Sequence, residues 1–107
     1  MTIEHQGETM RVFGVKELHA ANGPAFHAAV RQAMAPTVKH IEIDLSEMTF
    51  LDSCGLGTLV ALRKLAAPRE GVVRLLNPTP PTLQMLELTR LYRVLEVVKC
   101  QEVAATA

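Results

Sequence analysis

An excess of charge of either sign is the first thing this sequence lacks. Eleven Lys and Arg balance eleven Asp and Glu across 107 residues. The basic residues are scattered, with Arg63-Lys64 the one adjacent pair. Phosphate backbones are bound by clustered Lys and Arg, so direct nucleic-acid binding is not expected. Cysteine is scarce as well. Cys54 and Cys100 are far apart and have no CxxC spacing, which argues against a zinc site and a disulfide framework. This usage fits a reducing, cytoplasmic compartment. The longest nearly apolar run, Cys54 to Leu62, is far short of the ~20 residues that span a bilayer, so membrane insertion is not expected. MTIEHQGETMR has no basic region leading into an apolar run, and CQEVAATA carries no lipidation box.

Chemical motifs are also missing. His5, His19, His27 and His40 show no HxH or HExxH spacing, so no metal is expected. Gly55-Leu56-Gly57 does not continue into GxGxxG. There is no GK[ST] box and no GxSxG elbow. No cofactor and no catalytic residue follows from the sequence, and the chain reads as a non-enzyme.

What is present is enough apolar material, 49% of the residues, for a core without metal or disulfide staples. The length suits a single domain, residues 1–107. Thr2–His5 and Met10–Val15 read as strands of a hairpin around Gln6-Gly7-Glu8. Asn22-Gly23-Pro24 opens a helix, with Asn22 as its N-cap, that runs to about Met34. HIEIDL, His40–Leu45, alternates apolar and polar side chains as a strand does. A second helix is expected over Cys54–Leu65. A buried strand follows at Val72–Leu76, then a third helix at Pro81–Thr89 and a last strand at Val94–Val98. Strands alternating with helices predict an α/β fold: a four- to five-stranded mixed sheet with helices packed against it. Loops at the carboxyl ends of such strands form the functional edge. The Leu51–Gly57 and His19–Pro24 segments both belong there.

Leu51-Asp52-Ser53-Cys54-Gly55-Leu56-Gly57 carries the most information. Ser53 stands where strand gives way to helix. It can cap that helix, or it can offer its hydroxyl to a partner. Asp52 can be a second cap, or it can contact the partner. Gly55 and Gly57 each cost about 0.8–1 kcal/mol in a helix relative to Ala. Either the helix packs closely on the sheet there, or a partner needs the space. Cys54 is either a small residue filling a tight loop or a redox-sensitive thiol at a helix start.

The stretch FLDSCGLGTLVALRKL resembles the signature of STAS domains, specifically the bacterial anti-sigma-factor antagonists. IEIDLS, ELHAANGPA and RLLNP are similar to the strands and loop around that signature, so the resemblance covers nearly the whole chain. It implies a STAS-like fold. It also implies that Ser53 is phosphorylated by an anti-sigma factor with serine-kinase activity, and that a serine phosphatase reverses the modification. The unphosphorylated form would bind the anti-sigma factor and free a sigma factor. The implied partner surface comprises Asp52, Ser53, Cys54, Gly55, Leu56 and Gly57, with His19, Asn22 and Gly23 beside it. Two positions depart from the family pattern. Cys54 replaces the usual Ser, Thr or Ala, and His19 replaces a common Asp. The competing reading is a STAS interaction subunit of a transport complex, in which Ser53 is not modified.

Overall fold

The structure, a computed structural model, describes residues 1–98. Cys100 lies outside the described residues. Strands β1 (Thr2–Gln6) and β2 (Thr9–Phe13) form the expected antiparallel hairpin, turned at Gly7 with φ 60°. The second strand ends two residues earlier than the sequence predicts. Gly14 adopts φ 72°, a conformation open to glycine, and this breaks the strand. Val15 is buried nonetheless.

A short strand, β3 (Glu17–Leu18), precedes helix α1 (Gly23–Ala33). Then come β4 (His40–Asp44), a second short strand β5 (Phe50–Leu51), and α2 (Ser53–Ala61). Helix α3 (Arg63–Ala66) continues α2 after a break of one residue, so the expected helix Cys54–Leu65 is nearly continuous. Strand β6 (Val73–Leu76), α4 (Pro80–Leu88) and β7 (Glu96–Val98) complete the described chain. The last strand starts at Glu96 rather than Val94, because Leu91–Arg93 forms a turn of 3-10 helix whose end holds Val94.

The main sheet has five strands in the order β1-β2-β4-β6-β7. β1 is antiparallel to β2, and every other neighbouring pair is parallel. The sheet is mixed, as expected. Ile41 and Ile43 point to one side with Met10, Val12, Val73 and Leu75, and these are buried against the helices. Phe26 and Val30 come down from α1, Leu56 and Leu59 from α2, and Leu86 from α4, making one contiguous core. On α4, Leu88 is 77% exposed, and Thr82 takes a buried place.

Glu42 lies on the other side of the sheet, in register with Arg11, Arg74 and Glu96. Its carboxylate accepts from Arg11 Nη2 at 2.7 Å and from Arg74 Nη1 at 3.3 Å; Arg74 Nε reaches Glu96 at 3.4 Å. Two cations flank a carboxylate that is only 8% exposed, so the buried charge is compensated from both neighbouring strands. Removing one cation, as in Arg11→Ala, leaves Glu42 half-paired. We expect the urea midpoint at neutral pH to fall. An unchanged urea midpoint contradicts this reading.

Candidate functional site

The site rests on a two-stranded parallel ribbon, β3 with β5, that the sequence analysis did not foresee. Each strand has two residues, too few to show a period. Leu18 pairs with Leu51, and both are buried. The ribbon carries the chain to two adjoining segments, His19–Asn22 ahead of α1 and Asp52 ahead of α2.

The segments meet through backbone. Asp52 N–H donates to Leu18 C=O at 3.4 Å. The cap of α2 is Asp52, not Ser53: Asp52 Oδ1 accepts from Gly55 N–H at 2.8 Å. Asp52 has the extended backbone (φ −108°, ψ −176°) that an N-cap requires. Ser53 is therefore the first residue of the helix, and it is exposed. The capping role is taken, which leaves the Ser53 hydroxyl free of that task. Replacing Asp52 by Ala removes the cap. We expect a cost of about 1 kcal/mol, read as a fall in melting temperature of roughly 5 °C. An unchanged melting temperature rules out the cap as a stabilising contact.

Asn22 also differs from expectation. It precedes α1 but makes no side-chain cap. Its amide closes the loop instead, with Oδ1 accepting from His19 N–H at 2.8 Å and Nδ2 donating to Glu17 C=O at 2.9 Å. His19 is held from two sides. Ala21 N–H, which can only donate, approaches Nδ1 at 3.2 Å, so Nδ1 is the acceptor and the proton sits on Nε2. Nε2–H then faces Glu17 Oε1 at 3.2 Å. The His19 ring also stands edge-on to Phe50, with centroids 5.9 Å apart. Phe50 is 52% exposed, so an aromatic side chain is presented beside the loop.

The two glycines have different explanations. A Cβ on Gly55 would lie 2.2 Å from Leu18 O, so close packing of α2 on β3 requires glycine. A Cβ on Gly57 would meet nothing within 4 Å, so no internal contact requires its glycine. Gly23 is buried, and its Cβ would lie 2.6 Å from Thr58 Oγ1, which brings the start of α1 against α2. Leu56 is buried in the core. Leu56 and Gly55 shape the surface from beneath, while Ser53, Cys54 and Gly57 are exposed on it.

Between α1 and α2 runs an open groove of about 670 Å³. His19, Gly23, Cys54 and Gly57, singled out from the sequence, line it. Ala20 and Pro24, also of the His19–Pro24 segment, line it too, together with His27, Ala28 and Arg31 of α1 and Thr58 and Ala61 of α2, which the sequence reading did not pick. Their signal was spacing. Residues 23, 24, 27, 28 and 31 fall at i, i+3, i+4 intervals along one stripe of small or polar residues that flanks the buried stripe of Phe26 and Val30. Among the described residues, no group of three or more His, Cys, Asp or Glu could hold a metal, and no helix is long and apolar enough to cross a membrane.

The profile of the STAS domain family matches residues 1–107. The chain belongs to the STAS domain family. A curated relative from Paenibacillus polymyxa, the anti-sigma F factor antagonist, is 27% identical over 59 residues, 55% of this chain and 50% of that protein. The match thus spans half the length of that relative. Among solved structures, this STAS chain is similar to a candidate anti-sigma factor antagonist from Thermotoga maritima, with a TM-score of 0.78 and 22% identity, covering 91% of this chain and 84% of that one. It is also similar to the unphosphorylated form of the antagonist SpoIIAA, a Bacillus cell-fate determinant, with a TM-score of 0.72 and 21% identity over 96% of this chain and 91% of the other. SpoIIAA has also been solved in a phosphorylated form. At such identities these structures establish the shared STAS fold.

Proposed function

We propose that this STAS domain is an anti-sigma-factor antagonist that works by exchanging partners. Unphosphorylated, it binds an anti-sigma factor with serine-kinase activity. Phosphorylation of Ser53 releases it, and a serine phosphatase restores it. The domain binds and does not catalyse. The observation that carries this reading is the position of Ser53, exposed at the first residue of α2 with its capping duty assigned to Asp52. The antagonist named among its relatives supports the same role. The partner surface on this reading comprises Asp52, Ser53, Cys54 and Gly57 with the His19–Gly23 loop, shaped from below by Gly55 and Leu56.

The test is to incubate the protein with ATP and any anti-sigma-factor-type serine kinase that its genomic neighbourhood encodes, and to map the product by mass spectrometry. We expect one phosphate, on Ser53. Ser53→Ala should bind the kinase and take up none. Absence of phosphate on Ser53 together with co-purification with a permease and its ATPase supports the transport-subunit reading instead.

A further inference from the structure

The charges of this neutral chain are not evenly spread over its helices. From Ala20 to Val38, and again from Ser53 to Arg69, there is no Asp or Glu. These spans hold α1, α2 and α3, which carry Arg31, Arg63 and Lys64. Arg69, at the end of the second span, is occupied internally by the carbonyls of Ala35 and Val38, at 2.7 Å each. Among the cations elsewhere, Arg11 and Arg74 are matched on Glu42 and Lys39 on Glu8, while Lys16, Arg90 and Arg93 are exposed and form no ion pair among the described residues. Arg31, Arg63 and Lys64 are exposed and form no ion pair among the described residues. The acids nearest the groove are engaged at its mouth, Glu17 with His19 and Asp52 with Gly55.

Arg31 lies in the groove itself, which no Asp or Glu lines; small and apolar residues such as Pro24, Ala28 and Ala61 form most of its walls, with His19, His27 and Thr58 as the other polar side chains. A cation beside an apolar trough fits one kind of occupant. We infer that the α1–α2 groove receives a protruding segment of the kinase partner that is apolar along its crest and carries a carboxylate placed against Arg31. This rests on the partner-exchange reading above and adds the chemistry of the partner's surface. Like charges brought together across an interface are costly, and complementary ones raise the rate of encounter. An acidic partner also gives phosphate on Ser53 something to repel.

The experiment is isothermal titration of the kinase with the intact protein at low and high salt. Native affinity should fall as salt rises, since exposed charge pairs are screened. Arg31→Glu should bind at least about tenfold more weakly at low salt, and Arg31→Ala should have a flatter salt dependence. Arg93→Glu makes the same change in net charge in a different recess, lined by Val94 and Leu95, and should bind as the native protein does. Ala61→Trp fills the trough without altering charge and should also weaken binding, with circular dichroism confirming that it stays folded. If Arg31→Glu and Ala61→Trp bind like the native protein while phosphorylation of Ser53 still releases the kinase, the groove inference is overturned and partner exchange stands. If the native protein does not bind the kinase at all, both are overturned together.

Discussion

Gly55→Ala should lower the melting temperature by roughly 10 °C, while Gly57→Ala, two residues on in the same helix, should raise it. Both changes relieve the intrinsic cost of glycine in a helix, about 0.8–1 kcal/mol. They differ in what the new methyl meets. At position 55 it would stand 2.2 Å from Leu18 O, 2.7 Å from Leu18 C and 2.7 Å from Leu51 Cδ1. Two of these are backbone atoms of β3, which is paired to β5 and cannot rotate aside. Helix α2 must lift off the ribbon, loosening Leu56 and Leu59 in the core. Overpacking of this kind costs about 1–3 kcal/mol, occasionally more. With the upper part of that range and a propensity gain near 1 kcal/mol, the net loss is about 2 kcal/mol, and each kcal/mol moves the melting temperature by about 4–8 °C in a domain of this size. At position 57 the methyl meets nothing within 4 Å, so the propensity gain survives. Thermal melts of the two variants side by side check this. Equal melting temperatures contradict the close approach of α2 to β3.

The legible part of the fold was the part with a period. HIEIDL alternates, and its Ile41, Ile43 and Leu45 are all fully buried. The helix α1 stripe of Phe26 and Val30 repeats at helical spacing, and both are buried. The ribbon of β3 and β5 was not legible, because two residues per strand show no period and because its pairing joins positions 33 residues apart. The candidate site inherits that limit. The Asp-Ser-Cys-Gly segment was visible as a strand-to-helix junction. Which of Asp52 and Ser53 caps the helix depends on one backbone angle and one hydrogen bond to Gly55, and both residue types cap well. Asn22 shows the same ambiguity: a good capping residue by type, it is recruited by the His19 N–H and the Glu17 carbonyl. Leu56 was placed on the partner surface because it sits within the motif, but its side chain turns into the core. Glu42 was read only as the polar side of an alternating strand, and nothing local announces that Arg11 and Arg74 will lie beside it.

Phosphorylation of Ser53 should weaken binding of the kinase by about a hundredfold and leave the fold of the domain intact. Phosphoserine brings about −1.5 to −2 charges and three acceptor oxygens. In the free domain that charge has somewhere to go. Ser53 opens α2, where first-turn N–H groups lack intrahelical partners and the helix dipole is positive. Gly55 N–H is already taken by Asp52, so the phosphate must use the others, and the Asp52 carboxylate opposes it. These effects offset each other, and the stability of the free domain should change little. In the complex there is no such balance. The exposed hydroxyl becomes a dianion that the interface must desolvate, and a carboxylate-bearing partner meets like charge, at a cost of several kcal/mol. A loss of about 3 kcal/mol corresponds to about two powers of ten in affinity. Ser53→Asp, with a single negative charge and a shorter reach, should show a smaller loss in the same direction. Amide NMR spectra before and after complete phosphorylation separate a local charge effect from a change of shape. Shifts confined to residues around 19–23 and 52–58 are the expected result. Shifts spread across β2, β4 and β6 point to a conformational switch instead, and unchanged affinity after complete phosphorylation removes Ser53 as the control point.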